Sequence, residues 1–248
     1  MYRIASAILA LIVTLGGAAS GAELKIFGSR VTKMVVAEIG PQFEQTTGYK
    51  PVVETDVAAV MKRRVESGEA FDLAILIDFQ TDELIKAGKL IAATRTDVMK
   101  AGIGVAVRRG APKPDISTVE AFKQTLLAAK SLTYLREGGS TRHLVRVFDR
   151  LEITDALRAK TTQPMTESVS EMVADGEAEI GIIVIPNILS VSGAELVGPL
   201  PPELQSYIVF TAAVSAQSPN QQAASALIRL LTSPSGIDVI KSKGMEPG

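Results

Sequence analysis

The chain has 248 residues and a formal net charge of −1, and 46% of its residues are hydrophobic, enough for a sizeable core. The near-neutral charge argues against a nucleic-acid binder, and no Lys/Arg run suggests one. There is no Cys and only one His, His143, so thiolate or His-rich metal sites and a catalytic triad cannot be assembled. We therefore expect no metal, no cofactor, no catalytic residues and no enzymatic activity.

Residues 1–22 have the pattern of a secretory signal peptide. Arg3 is the basic start, residues 4–15 are an apolar run, and Ser20-Gly21-Ala22 supplies the small residues that signal peptidase requires before its cut. The apolar run is too short for a comfortable membrane span. We therefore predict export to the bacterial periplasm and a mature chain that begins near Glu23.

The mature chain opens with a predicted strand over residues 24–27, followed by a tight turn into a helix. Gly28 gives the turn backbone freedom, and Ser29 is a good residue for the helix N-cap. The free N–H groups and the positive dipole end of this helix form an anion site, with Arg30 beside it. An ordinary βα turn with a capping Ser is the alternative interpretation. Further along, Gly40-Pro41 predicts a kink or a break in the helix.

The rest of the chain alternates between predicted strands and helices. Three βα units are expected up to residue 87, which indicates a mostly parallel sheet with helices on both faces. A second series follows over residues 103–197, and the tail adds one strand and two helices. The elements predicted after the opening pair are strands at 51–55, 71–77, 103–107, 132–135, 180–185 and 207–214, and helices at 57–66, 81–87, 119–128, 142–151, 167–174, 221–231 and 234–243.

These elements predict an α/β protein with two lobes. Residues 23–100 and 201–248 form lobe 1 in this interpretation, and residues 101–200 form lobe 2. The chain then crosses twice between the lobes, and a cleft with a paired hinge is a natural ligand trap.

The second lobe repeats the turn of the first. Gly139, Ser140 and Thr141 lie between a predicted strand and a helix, and Arg142 follows at once. Two facing helix ends with two Arg residues suit a ligand that carries two or more negative oxygens. The alternative is that Ser140 only caps its helix and that Arg142 points to solvent.

Other helix starts are weaker candidates for ligand contacts. Ala58 and Ala59 offer backbone N–H groups, although an ordinary helix start fits equally well. Thr166 lies at the start of a predicted helix, a position that favours capping of the helix over ligand binding. Asn187 follows a buried strand and can present an amide to the cleft or form a turn.

Four stretches, in this order, resemble the molybdate-binding type of periplasmic substrate-binding protein from ABC importers. This resemblance covers nearly the whole mature chain. The stretches are Phe27-Gly28-Ser29-Arg30, residues 65–73 (VESGEAFDL), residues 173–183 (VADGEAEIGII), and residues 230–245 from Leu-Leu-Thr-Ser-Pro to Lys-Gly-Met.

The resemblance implies a two-lobe, Venus-flytrap fold that holds an oxyanion with hydroxyls and backbone N–H groups. Ser29 matches the first binding Ser of the family. The second binding Ser should fall at Ala58 or Ala59, and the ligand-side Tyr should fall at Val184, so two side-chain donors are missing. Backbone contacts of the family fall near Ser140 and near Thr166.

Because two hydroxyl donors are replaced and two Arg residues accompany the turns, we expect a divergent member whose ligand is an organic di- or tricarboxylate. The expected partners are this small anion and an inner-membrane ABC permease, and we expect a monomer. A molybdate- or tungstate-binding protein is the first alternative. A sensory protein that is not coupled to transport is the second.

Overall fold

The computed structural model describes residues 22–248, so the predicted signal peptide lies outside the described residues except for Ala22. Across this part of the chain, every helix is too short or too polar to cross a lipid bilayer. This part of the chain contains ten strands and ten α-helices, mostly in alternation. The strands are β1 (Ala22–Gly28), β2 (Tyr49–Thr55), β3 (Leu73–Ile77), β4 (Thr96–Arg108), β5 (Leu132–Thr133), β6 (Thr161–Thr162), β7 (Ile180–Val184), β8 (Ala194–Pro199), β9 (Tyr207–Val214) and β10 (Glu246–Pro247). The helices are α1 (Arg30–Thr47), α2 (Ala58–Glu66), α3 (Asp78–Lys86), α4 (Val119–Ala128), α5 (Thr141–Arg150), α6 (Thr154–Arg158), α7 (Val169–Asp175), α8 (Ile185–Leu189), α9 (Gln221–Leu231) and α10 (Pro234–Ser242).

The strands form one continuous sheet with the order β2-β1-β3-β9-β4-β7-β5-β6, and β8 and β10 also pair with β4. We call β1, β2, β3 and β9 the first half of the sheet, and β5, β6, β7 and β8 the second half. The predicted α/β class is confirmed, but the sheet is mixed. The outer strands are parallel, whereas β4 and β9 are antiparallel to their neighbours. The reason is that β4 leaves the first half and β9 returns to it, so the two strands run in opposite directions.

Each half of the sheet is covered by helices with apolar faces. In the first half, Val35 and Phe43 of α1 and Leu227 of α9 are buried against the strands. In the second half, Phe122 of α4 and Phe148 of α5 are buried in a separate cluster. Full burial of one such side chain contributes about 1.5–3 kcal/mol, so these faces hold the helices on the sheet. The predicted boundaries of the two lobes stay a prediction.

The helix α1 runs unbroken through Pro41, so the predicted break at Gly40-Pro41 is wrong. Pro41 is exposed, while Val35, Ile39 and Phe43 on the opposite face are buried. A Pro inside a helix costs about 3 kcal/mol. Burial of several large side chains on the same helix offsets that cost.

The strand β4 connects the two halves without interruption. Its Thr96–Gly102 part pairs with β9, and its later residues pair with β7 and β8. Gln205, just before β9, is bound to the same strand. Its side-chain amide donates to the Ile103 carbonyl (2.9 Å), and its carbonyl oxygen accepts the Ile103 N–H (3.0 Å). The two chain crossings are therefore tied to each other at Ile103.

Asp72, immediately before β3, joins three segments of the first half. It is 6% exposed. One carboxylate oxygen accepts the Lys25 N–H (2.8 Å), and the other accepts the Ser218 hydroxyl and the Asn220 amide. This carboxylate therefore links β1 and β3 to the loop that precedes α9.

Candidate functional site: a cleft between helix amino ends

A small cavity lies where helix amino ends from both halves of the sheet converge. Its volume is about 40 Å³, room for a few water molecules. In open α/β sheets, ligands bind beyond the carboxyl ends of strands, where helices begin. The cavity is lined by Ser29, Val31, Val57, Ala58, Ile77, Leu135, Gly138, Gly139, Ser140, Glu167, Ile183, Val184, Asn187, Ile208 and Phe210.

The two Gly-Ser turns meet at this cavity, because Ser29 and Ser140 both line it. Ser29 is the N-cap residue of α1 and has extended backbone angles, φ −107° and ψ 178°, but its side chain makes no capping bond. Its hydroxyl oxygen is buried and has no partner among the described residues. Ser140 is 3% exposed and likewise makes no side-chain capping bond. The amino ends of α1 and α5, whose first backbone N–H groups have no partner within the helix, therefore lie at the same cavity, together with the Ser29 hydroxyl that the described residues leave unpaired.

Four further predicted site residues also line the cavity: Ala58, Gly139, Val184 and Asn187. Asn187 is 2% exposed, and its side-chain carbonyl oxygen has no hydrogen-bond partner within residues 22–248. A buried polar atom without a partner costs about 1–3 kcal/mol unless something satisfies it. Asn187 and Ser29 therefore offer the cavity two polar groups that the protein itself leaves unused.

Four predicted residues lie next to the cavity without lining it. Gly28 ends β1, and a Cβ at this position would come within 2.7 Å of the Thr32 side chain. The Thr141 hydroxyl donates to the Leu135 carbonyl and accepts the Gly138 N–H, so it closes its own turn. Ala59 is half-buried in α2, and Thr166 is exposed.

The structure does not place the two Arg side chains in the cavity lining. The Arg30 guanidinium pairs with the Glu171 carboxylate and donates to the Glu167 carbonyl, so it ties α1 to the second half. The Arg142 guanidinium lies 4.3 Å from the ring centroid of Phe79 in α3, a cation–π contact between the two halves. Both guanidinium groups therefore bridge the two sides of the cleft beside the cavity.

We expect Arg30→Ala to lower the free energy of unfolding by about 1–2 kcal/mol, because it removes charge-assisted bonds between the two halves. Arg30→Lys is the matched control, since it keeps the charge but cannot bond to both groups in the same way, and it should recover part of the loss. Urea denaturation measures both effects. An Ala variant as stable as the wild type would contradict this role for Arg30.

The structure places Glu167, which is not among the predicted site residues, at the centre of the site. The predicted helix over 167–174 begins two residues later, at Val169, and Ser168 donates its N–H to the Thr166 carbonyl (2.7 Å) instead. The Glu167 carboxylate accepts the N–H of Arg30 at the amino end of α1, in the first half (2.8 Å). The sequence signal that could have identified Glu167 is its position as an acidic residue next to the predicted site residue Thr166.

Burial raises the pKa of Glu167 to about 7. The Arg30 N–H bond and the Arg30 charge oppose this shift, while the nearby carboxylates of Asp56 and Glu171 add to it. Glu167 is therefore poised to gain or lose a proton near neutral pH.

The raised pKa of Glu167 predicts a pH-dependent effect of Glu167→Gln on stability. A folded-state pKa of about 7, above the unfolded value of 4.5, makes the wild type lose stability as pH rises between these values. Gln carries no charge at either pH. The free energy of unfolding of the variant, relative to that of the wild type, should therefore rise by about 2 kcal/mol from pH 5 to pH 8. Urea denaturation at both pH values measures this change. Glu177→Gln, on an exposed residue, is the control, and a difference that is constant with pH would contradict the prediction.

Glu167 also lines a second cavity of about 380 Å³, which we call the outer cavity. Glu167 is the residue that the linings of the two cavities have in common. The outer cavity opens between the halves and contains both cations and carboxylates. Its lining residues are Arg30, Lys33, Thr55, Asp56, Thr166 and Glu167. In residues 22–248, no group of three or more His, Asp or Glu side chains could hold a metal ion.

Comparison with known proteins identifies the family. The sequence model described as "Bacterial extracellular solute-binding protein" matches residues 24–246. Aconitate isomerase of Pseudomonas sp is 31% identical over 218 residues, which cover 86% of this chain and 83% of that protein. The molybdate-binding protein ModA of Azotobacter vinelandii is 25% identical over 249 residues, with 94% and 96% covered.

Solved structures agree on the fold. The periplasmic molybdate-binding protein of Azotobacter vinelandii superimposes with a TM-score of 0.76 at 15% identity and covers 90% of this chain and 98% of its own. This likeness, together with the family match across nearly all described residues, confirms the predicted periplasmic-binding-protein fold. The chain therefore belongs to the bacterial extracellular solute-binding protein family.

Proposed function

We propose that this protein is the periplasmic component of an ABC importer and that it captures a small organic di- or tricarboxylate in the cleft. The observation that carries the proposal is the position of Glu167. Its carboxylate accepts the Arg30 N–H at the amino end of α1, between the two halves of the sheet. The amide end of α1 therefore has the geometry to accept a carboxylate.

The donors around the cavity support a carboxylate over a tetrahedral metal oxyanion. The molybdate-binding type that the sequence resembles uses a second Ser and a Tyr as donors, and this chain has Ala58 or Ala59 at the first of those places and Val184 at the other. The remaining polar groups are the Ser29 hydroxyl, the Asn187 amide and backbone N–H groups. Such a sparse set suits separate carboxylates at separate helix ends better than one oxyanion surrounded by hydroxyls.

The relative named aconitate isomerase supports the same ligand class, because aconitate carries three carboxylates. Ser29 at α1 and Ser140 at α5 belong to two amide ends, which can each hold one carboxylate. Asn187 can donate to a third. The ligand contacts that we propose are thus made by Ser29, Ala58, Gly139, Ser140, Val184 and Asn187, with Gly28, Ala59, Thr141 and Thr166 as their support.

The two Arg residues act indirectly in this proposal. Arg30 and Arg142 hold the two sides of the cleft together through Glu171 and Phe79. Their positive charge beside the cavity also favours an anionic ligand. This role differs from the direct bidentate contact that the sequence suggested.

Calorimetry on residues 23–248 tests the proposed ligand class. We expect binding of trans-aconitate and propane-1,2,3-tricarboxylate, and much weaker binding of molybdate, tungstate and sulfate. Tight molybdate binding without any response to carboxylates would reject the proposal in favour of the oxyanion alternative. Coupling to a permease is tested by uptake of the labelled ligand in a strain that lacks this protein, and unchanged uptake would favour the sensory alternative.

A second candidate function is the isomerisation of an unsaturated polycarboxylate. The 31% identity to aconitate isomerase favours it, and so does a cleft carboxyl whose pKa is about 7, which suits general acid–base catalysis at neutral pH. One such group is sufficient in principle: it removes a proton from the methylene carbon of aconitate and returns it to the other end of the allylic system. The leading proposal expects that the protein binds aconitate without changing it. Proton NMR of cis- and trans-aconitate incubated with the protein distinguishes the two, since conversion would assign the isomerase function.

A further inference from the structure

We propose that Glu167 is an internal ligand of the cleft, which holds the amide end of α1 until a carboxylate of the bound guest takes its place. This inference rests on the proposed function, because the guest must use the same amide end. It adds that the Glu167 carboxylate competes with the guest for the amide end of α1 and thereby determines how tightly the guest binds.

The first support is the contact itself. The Glu167 carboxylate accepts the N–H of Arg30, the first residue of α1, at 2.8 Å. Arg30 N–H is one of the groups that an α-helix leaves unpaired at its amino end, and such groups hold anions in many proteins. A guest carboxylate that uses this donor must displace Glu167, because both carboxylates cannot occupy it together.

The second support is the unused polar atoms in the same cavity. The Ser29 hydroxyl oxygen and the Asn187 side-chain carbonyl oxygen are buried without partners in the described part of the chain. Asn187 is 2% exposed. Glu167 therefore satisfies the Arg30 N–H and leaves the Ser29 hydroxyl, a donor that a guest carboxylate can use, without a partner among the described residues, as expected of a partial substitute for a larger ligand.

The third support is the size of the cavity. With Glu167 in place, the space behind it is about 40 Å³, too small for a tricarboxylate, and the outer cavity in front of it is about 380 Å³. Glu167 lines both. In this proposal, movement of its side chain opens the two cavities to each other. The carboxylate of Glu167 thus also determines the depth of the site.

The charged groups around Glu167 make its release depend on pH. Arg30 and Lys33 of α1, Asp56 before α2 and Glu171 of α7 are the charged residues of the outer cavity and its rim. Burial raises the pKa of Glu167 to about 7, so below this pH the neutral acid holds the amide less strongly and no longer repels a guest anion. Guest binding should therefore strengthen as the pH falls from 8 to 6.

Calorimetry with propane-1,2,3-tricarboxylate tests the proposal, because this probe has no double bond to isomerise. At pH 8 we expect Glu167→Ala to bind it at least tenfold more tightly than the wild type, with little change between pH 6 and pH 8. The affinity of the wild type for the same probe should rise about tenfold as the pH falls from 8 to 6. Glu177→Ala removes an exposed carboxylate of the same half and should bind as the wild type does. Equal or weaker binding by Glu167→Ala would overturn the proposal.

Two further measurements separate this inference from the proposed ligand class. If molybdate, rather than the tricarboxylate, binds more tightly to Glu167→Ala, the internal ligand stands and the carboxylate preference fails. The backbone amide resonance of Arg30 reports on the contact without any guest. We expect it to shift with pH around a midpoint near 7 in the wild type and to stay constant in Glu167→Gln. The absence of this titration in the wild type would overturn the inference whatever the guest.

Discussion

Gly139→Val is expected to weaken binding of the tricarboxylate roughly 5- to 150-fold, since overpacking costs about 1–3 kcal/mol and 1.4 kcal/mol is tenfold in affinity. Gly139 belongs to the turn before α5, in the second half of the molecule. A Cβ there would lie 2.9 Å from the Ile208 and Ile77 side chains, which belong to the first half. A branched side chain at this position therefore acts as a wedge between the two halves and fills part of the cavity.

Calorimetry measures this loss, and circular dichroism verifies that the variant is folded. Gly139→Ala should show a smaller loss, because a single methyl group is added and one of the two nearest atoms, Cδ1 of Ile77, is the movable end of its side chain. Gly198→Ala is the matched control, since the nearest atom to its added Cβ is 3.7 Å away and belongs to Ile116. Folded Gly139→Val protein with wild-type affinity would show that the ligand does not need both halves together at this point.

Asp72→Ala is expected to destabilise the protein by about 3–4 kcal/mol, the range for breaking a buried, hydrogen-bonded charge network. The change leaves three donors without their acceptor: the Lys25 N–H, the Ser218 hydroxyl and the Asn220 amide. These donors come from two segments that are more than 190 positions apart in sequence. The carboxylate is thus the local connection between β1 and the start of the tail helices.

Urea denaturation measures the change in stability. Asp72→Asn should lose less, because one amide oxygen can still accept a bond, although its NH₂ group then faces donors. Asp238→Ala, on an exposed residue of α10, is the control and should stay within about 0.5 kcal/mol of the wild type. A loss below about 1 kcal/mol for Asp72→Ala would mean that solvent replaces the lost bonds.

Local patterns predicted most of the elements. The strand-turn-helix at Gly28 and Ser29 follows from residues that are neighbours in sequence, and the structure has α1 begin at Arg30. The helices predicted over residues 119–128 and 234–243 begin at Val119 and Pro234 in the structure, and the side chains of Thr118 and Ser233 cap them. Such short-range rules do not need the tertiary structure.

The parts that sequence reasoning missed depend on contacts between distant residues. Glu167 and Arg30 are 137 positions apart, so their bond could not be read from spacing. The antiparallel direction of β9 depends on the return of the tail, and the unbroken course of α1 through Pro41 depends on what its opposite face buries. The two Arg residues follow the predicted turns in sequence, but Glu171 and Phe79 attract them away from the cavity lining.

The continuity of β4 limits how the cleft can open. A hinge made of two loose linkers permits a wide swing, but here the connecting segment is a paired strand of 13 residues, tied at Ile103 to Gln205 of the return crossing. The two halves should therefore move through small changes of strand twist that are spread over several residues of β4. Exchange of the guest should therefore be a low-amplitude opening that recloses rapidly, and the amide hydrogens of β4 should stay protected from solvent exchange while it occurs.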